Sequence, residues 1–193
     1  MIIFYQIPDD ETAVRLRKII EEEKIEHMYV EKEVAGQTIG ALFAGDLSEN
    51  PHHDPTLPID PAVIFNAADT SQEEATALLD KFHQNDIVFG YPIYADDSIM
   101  NVPLGDVLVG HRDYQSFLNK LNFLQQMIDG CAALKEEKYD QDKWSDLKIT
   151  LANANAFLEA IVSATDSEFD QVNINDIDKH IAGLQNAMKK LLG

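Results

Sequence analysis

Short apolar runs alternate with amphipathic segments through the first 112 residues. The runs Ile2–Phe4 and Val63–Phe65 are each followed by a polar turn and then by a stretch with helical periodicity. Second apolar runs follow at Ile25–Val30 and Ile87–Tyr94. Short apolar runs bounded by turn residues are typical of buried strands, and apolar positions spaced three and four apart are typical of helices. The pattern therefore predicts strand–helix–strand twice.

Each of these segments continues into a short amphipathic stretch, "TIGALFAG" in the first and "PLGDVLVG" in the second. Both stretches place apolar residues at positions i, i+3 and i+4 of a helix, namely Ile39, Leu42 and Phe43, and then Leu104, Val107 and Leu108. Pro103 suits the first position of such a helix, and Gly45 and Gly110 suit its C-cap. Residues 1–46 and 62–111 thus read as two copies of a strand–helix–strand–short helix repeat.

One copy of about fifty residues is too small to bury both faces of its strands. Two copies in one chain can share a four-stranded sheet covered by helices, whereas the competing arrangement pairs the copies between chains in a homodimer. The linker, residues 47–61, contains Pro51, Pro55, Pro58 and Pro61, which exclude helix and favour an extended course. We therefore predict an N-terminal αβ region over residues 1–112.

Residues 113–193 contain no proline and have a helical pattern throughout. Three segments, about 113–135, 141–164 and 174–192, carry apolar stripes with helical spacing. The stripes are Tyr114, Phe117, Leu118, Leu121, Leu124, Ile128 and Cys131; Trp144, Leu147, Leu151, Ala154, Leu158 and Ile161; and Ile174, Ile177, Ile181, Leu184, Met188 and Leu191. Such stripes bury one another in a bundle. The predicted fold class is therefore α+β, an αβ region of two repeats sharing a small sheet followed by an antiparallel three-helix bundle.

The second of these helices starts in the stretch "KYDQDKWSDLK", which holds the only tryptophan of the chain. Asp140 suits the N-cap, which makes Tyr139 the preceding residue and Trp144 the fourth residue of the helix. Apolar residues at those two positions pack on each other as a hydrophobic staple. The spacing therefore assigns both aromatic residues to the structure of the bundle, without a ligand.

The same stretch resembles the first half of a FIVAR module, a small helical repeat of bacterial surface proteins and some glycoside hydrolases. The first half of that pattern is matched by Tyr139, Trp144, Leu147, Leu151 and Ala154. The closing half is matched by Ile177, Asp178, Leu184, Ala187, Met188 and Leu191. The resemblance covers residues 135–192. It implies a helical bundle with a binding role, and it brings no catalytic residues.

The charge of the chain restricts its partners. Thirty-four acidic residues stand against 15 basic ones, a formal net charge of -19, and residues 1–112 hold 21 of the acidic residues and 7 of the basic ones. Such a field repels nucleic-acid phosphates and anionic membranes, so we expect neither as a partner and favour a basic protein. The start "MIIFYQIPDDETAV" lacks a positively charged segment and a long apolar run, so we expect a cytoplasmic location.

Candidate chemistry is sparse. In "PHHDP", His52, His53 and Asp54 have side chains suited to a divalent metal, yet no further ligands lie at a suitable spacing, and the alternative is a solvated linker. Cys131 is the single cysteine, which excludes an internal disulfide, and its place on an apolar stripe favours packing. Phosphate-loop, dinucleotide-binding, nucleophile-elbow and zinc-protease motifs are absent from the sequence.

These observations predict a non-enzymatic interaction or regulatory protein without a cofactor. It would bind a protein partner through an acidic αβ face or through the helical bundle. The alternative is a small-molecule or metal-dependent enzyme that uses the loop containing His52, His53 and Asp54.

Overall fold

A computed structural model describes residues 1–7, 9–47, 57–58, 60–164 and 176–193, which divide into two compact units, Met1–Asp113 and Tyr114–Gly193. The strands are β1 (Ile2–Tyr5), β2 (His27–Val30), β3 (Ala62–Asn66) and β4 (Tyr91–Ala95). The helices are α1 (Asp10–Glu23), α2 (Ile39–Ala44), α3 (Gln72–Gln84), α4 (Leu104–Ala132), α5 (Gln141–Ser163) and α6 (Asp176–Leu192), with 3-10 turns at Lys32–Val34 and Glu136–Lys138. The predicted α+β class is confirmed.

The four strands form one mixed sheet in the order β2-β1-β3-β4. β1 runs parallel to β2, β3 runs parallel to β4, and the central strands β1 and β3 are antiparallel, with Ile3 opposite Ile64. Each parallel pair is connected by a helix, α1 or α3, as parallel strands require. The two predicted copies therefore share one sheet within the chain, and the central pairing does not depend on a second chain.

Both faces of the sheet are buried, which explains why its central strands are continuous apolar runs. One face packs against α1 and α3, and its core consists of Ile2, Phe4, Leu16, Ile19, Ile20, Val63, Phe65, Ala75, Phe82, Ile87 and Phe89. The other face packs against α2 and the first turns of α4, and its core includes Ile3, Tyr5, Ile39, Leu42, Ile64, Ile93, Leu104 and Leu108. Each fully buried aliphatic or aromatic side chain contributes about 1.5–3 kcal/mol, so this double core dominates the stability of the first unit.

Side-chain caps fix where the helices of this unit begin. Asp9 caps α1, because its carboxylate accepts the backbone N–H of Thr12 at 2.7 Å. Ser71 and Glu74 form a reciprocal capping box at the start of α3. Each of these side chains satisfies a backbone N–H that has no partner within its own helix.

The segments that follow the two β–α–β units meet in a reciprocal set of hydrogen bonds, here called the seam. Gly40 donates its N–H to the Met100 carbonyl at 2.8 Å, and Gly105 donates to the Ala35 carbonyl at 2.7 Å. Between these bonds, Thr38 bridges Pro103 in antiparallel fashion. The seam joins the start of α2 to the start of α4, and both helices cover the same face of the sheet.

The structure corrects two details of the sequence prediction. Gly45 does end α2 in a left-handed conformation with φ of 69°, but Gly110 lies inside α4, which continues to Ala132. No proline follows Gly110, and the lower helix propensity of one glycine, about 1 kcal/mol, does not stop a helix that packs along its length. Pro103, predicted as the first residue of this helix, immediately precedes Leu104, where α4 begins.

The second unit is a three-helix bundle. α5 and α6 are antiparallel, since Lys190 near the end of α6 lies 3.6 Å from Asp146 near the start of α5. Lys120 lies near the start of the part of α4 that belongs to this unit, and it contacts Asp178 at the start of α6 at 2.7 Å, so α4 and α6 run in the same direction. Among the described helices, none is both long enough and apolar enough to cross a membrane.

Candidate functional site

The residues proposed for metal binding, His52, His53 and Asp54, lie outside the described residues. Within the described part of the chain, no group of three His, Cys, Asp or Glu side chains is arranged to hold a metal ion.

Cys131 is buried in the core of the bundle, with 3% of its surface exposed. Burial raises the pKa of its thiol, which disfavours the thiolate at neutral pH. A nucleophilic or metal-binding cysteine needs the opposite, a thiolate stabilised by positive charge. The thiol of Cys131 therefore contributes to packing.

The aromatic pair at the start of α5 has the geometry of a hydrophobic staple. The rings of Tyr139 and Trp144 stack with centroids 5.8 Å apart and an interplanar angle of 1°. Between them Asp140 caps the helix, since its carboxylate accepts the N–H of Asp142 at 3.1 Å and that of Lys143 at 3.2 Å. Trp144 is 9% exposed, so its ring faces the bundle and is not a surface anchor for a ligand.

Most of the remaining residues that carry the sequence resemblance lie in the bundle core, whereas Asp178 is exposed and pairs with Lys120. Leu147, Ile177, Leu184 and Leu191 are buried in it, and Leu151 and Met188 are partly buried against it. Their positions explain the apolar spacing by packing alone.

The first unit contains a groove of about 490 Å³ between the end of α1 and the first half of α3, here called the acidic groove. Four carboxylates from separate parts of the chain line it, those of Glu23, Glu26, Asp69 and Glu74. Between them lies apolar surface contributed by Ile2, Ile25, Ala77 and Leu78. An apolar floor surrounded by negative charge is suited to a ligand with an aliphatic chain and a cationic end.

One lysine side chain, Lys81, also lines the acidic groove. It forms ion pairs with Glu23 and, at 3.6 Å, with Glu22. The hydrogen bond from Lys81 to Glu23 raises the pKa of the lysine, so the lysine remains charged at physiological pH. Because Lys81 is engaged with α1, the carboxylate of Glu26 forms no ion pair with any of the described residues and stays available to a cation.

Hydrogen bonding keeps a further carboxylate of the acidic groove ionised. The Ser71 backbone N–H donates to Glu74 at 2.8 Å and lowers the pKa of that carboxyl group. The groove also contains the N-terminal ammonium of Met1, which lies 3.5 Å from the Asp69 carboxylate, so its four carboxylates stand against two cationic groups and the acidic side chains remain in excess.

Strand β2 lies at one edge of the sheet, directly after the groove residues Ile25 and Glu26. Tyr29 on this strand is 45% exposed, and its ring lies 5.0 Å from that of His27 and 5.7 Å from that of Phe4. The edge strand thus carries two exposed rings, His27 and Tyr29, packed beside the buried ring of Phe4. Burial of part of the Tyr29 ring raises the pKa of its hydroxyl, which therefore stays protonated at neutral pH.

The groove and the edge are surfaces that the residue pattern did not reveal. The sequence does not show the groove, because Asp69 and Glu74 are distant along the chain from Glu23 and Glu26. The sequence nevertheless distinguishes the two edge strands, since the second contains a proline, Pro92, where the first has none.

Comparison of the chain with protein-family models, with curated proteins and with solved structures gave no match. The FIVAR resemblance of the C-terminal helices therefore stays a prediction.

Proposed function

We propose that this chain is a non-enzymatic interaction protein whose αβ unit binds a basic segment of a partner protein. The observation that carries the proposal is the acidic groove, which joins four carboxylates to an apolar floor in a volume of about 490 Å³. The acidic excess of residues 1–112 adds a long-range attraction for cationic partners.

Lysine and arginine side chains have an apolar stem and a charged end, and both parts suit this groove. Their methylene stems can cover Ala77 and Leu78, while the charged end reaches a carboxylate such as that of Glu26. A phosphate or another anion would meet the same carboxylates and be repelled. The chemistry of the groove therefore favours a basic peptide segment over a nucleotide or a nucleic acid.

The test uses a short synthetic peptide of alternating lysine and valine as the probe, with an alternating glutamate–valine peptide as its charge control. Binding is measured by fluorescence anisotropy at several salt concentrations. We expect the lysine peptide to bind and the glutamate peptide not to bind. The affinity of the lysine peptide should fall as the salt concentration rises, because the charges at the rim of the groove are screened.

A charge reversal locates the binding surface. Glu26→Lys is expected to weaken binding roughly tenfold, because it places a like charge beside the ligand. Asp97→Lys is the matched control, since Asp97 is exposed in the same unit and does not line the groove. Equal effects of the two reversals would show that only net charge matters, and would remove the groove from the proposal.

The metal-dependent alternative has its own outcome. Thermal stabilisation by a divalent metal that disappears in the double variant His52→Ala, His53→Ala would favour it. Absence of peptide binding would overturn the interaction function, and such a shift would then favour the metal-dependent alternative.

A further inference from the structure

The two edges of the sheet differ in their backbone groups. Ile2 donates its N–H to Glu26 at 2.7 Å, and Gln6 donates to Val30 at 3.1 Å. In a parallel pair, alternate residues of a strand bond to the same neighbour. Met28 and Val30 therefore face β1, and the backbone N–H and C=O groups of His27 and Tyr29 face outward, where none of the described strands pairs with them.

The opposite edge, strand β4, is blocked at the matching position. Ala67 donates its N–H to Ala95 at 2.8 Å, in the way that Gln6 donates to Val30. Three residues before Ala95 stands Pro92, and three residues before Val30 stands His27. Proline has no N–H to offer, and it is a common means of keeping an edge strand from pairing with another chain. The position that Pro92 blocks in β4 is therefore occupied in β2 by His27, whose outward N–H can pair with an added strand.

The tyrosines that follow these positions differ in the same sense. Tyr94 on β4 donates its hydroxyl to the Thr70 carbonyl at 2.7 Å, which holds it against its own unit. The hydroxyl of Tyr29 on β2 makes no hydrogen bond with the described residues, and the side chain remains 45% exposed beside Phe4 and His27. The open edge therefore also offers a partly exposed aromatic side chain.

We propose that the outer edge of β2 accepts an extended basic segment of the partner protein as a fifth strand of the sheet. The added strand would bond to the outward N–H and C=O groups of His27 and Tyr29, and one of its side chains would lie on the Tyr29 ring. The inference rests on the proposed function, because the segment that crosses this edge would continue past Glu26 into the acidic groove.

Charge decides between a basic partner and a second copy of the chain. From Glu21 to Glu33, the residues around β2 include six carboxylates and two lysines. A second copy would bring the same negative strip to the edge, and each chain carries a net charge of -19. Like charges on paired strands are destabilising, whereas lysine or arginine residues flanking the added strand would be attracted.

The repeat supplies the test variant, His27→Pro, which transfers the blocking proline of β4 to β2. It removes one outward N–H and leaves the bonds between β1 and β2 in place, because the N–H of His27 does not face β1. His27→Ala is the matched control, since it removes the ring and keeps the N–H. The probe is the lysine–valine peptide, measured by fluorescence anisotropy.

We expect His27→Ala to bind the probe within about threefold of the unsubstituted protein, and His27→Pro to bind it roughly tenfold more weakly. A probe peptide methylated on alternate backbone nitrogens should bind the unsubstituted protein roughly tenfold more weakly than the unmethylated peptide does. This second measurement keeps the proposal testable if His27→Pro fails to fold.

Each remaining outcome overturns one proposal or both. If Glu26→Lys weakens binding while His27→Pro and the methylated peptide bind normally, the groove function stands and strand addition is wrong. If the lysine peptide does not bind the unsubstituted protein, both are wrong. If sedimentation shows a dimer that His27→Pro dissociates, the occupant of the edge is a second copy, and the basic partner is wrong.

Discussion

Gly40 lies at the seam, where the backbone of α2 closely approaches that of Met100. A methyl group in place of its Cα hydrogen would lie 3.0 Å from the Met100 carbonyl oxygen, and a methyl group on Gly105 would lie 3.2 Å from that of Ala35. Ordinary carbon–oxygen contacts are about 3.3–3.6 Å. Both neighbouring atoms belong to the backbone, which cannot rotate away as a side chain could.

The size of the effect follows from two opposing terms. Replacing glycine by alanine in a helix normally stabilises it by up to about 1 kcal/mol. Overpacking costs about 1–3 kcal/mol, and opening the seam also weakens the 2.8 Å hydrogen bond from Gly40 to Met100, worth about 1 kcal/mol. We expect Gly40→Ala to lose roughly 1–3 kcal/mol of unfolding free energy, and Gly105→Ala to lose less because its contact is longer.

The assay must report on the first unit. Trp144 lies in the second unit, so its fluorescence is unsuitable, and hydrogen exchange of the β1 and β3 amides gives the unfolding free energy directly. Gly110→Ala is the control within the same unit, because a methyl group there meets no atom within 4 Å. Its unfolding free energy should rise by up to about 1 kcal/mol. If Gly40→Ala raised the unfolding free energy by the same amount, the close contact between Gly40 and the Met100 carbonyl would be refuted.

Two further changes test local contacts. Tyr139→Ala removes the ring that stacks on Trp144 and should lower the unfolding free energy of the bundle by about 0.5–1.5 kcal/mol. The measurement is urea unfolding followed by tryptophan fluorescence, and an unchanged urea midpoint would contradict the staple. Glu74 has a lowered pKa because Ser71 donates to it, so its contribution to stability is full above the ordinary value of 4.5 and is lost as the pH falls through the folded pKa. Glu74→Gln keeps a hydrogen-bond acceptor but does not titrate. Its urea midpoint should therefore fall less than that of the unsubstituted protein on acidification, and parallel falls would show that Glu74 is not coupled to folding.

Local chemistry explains what the sequence by itself determined. The apolar runs predicted the strands, and the Asp140 cap between Tyr139 and Trp144 placed the start of α5. These features depend on residues a few positions apart, so a linear pattern contains them. The α+β class followed, because the strand-like runs end near Ala95 and only helical segments follow.

The tertiary structure decided what depends on distant neighbours. Gly45 and Gly110 end similar stretches, yet only the first ends a helix, since a helix that packs along its length can contain a glycine. The acidic groove exists because the antiparallel pairing of β1 and β3 brings Asp69 beside the end of α1. The strand order places β2 at an edge of the sheet. Only at an edge does it matter that β2 has His27 where β4 has Pro92, because the outward backbone groups of His27, which a neighbouring strand would satisfy, are left open to a partner.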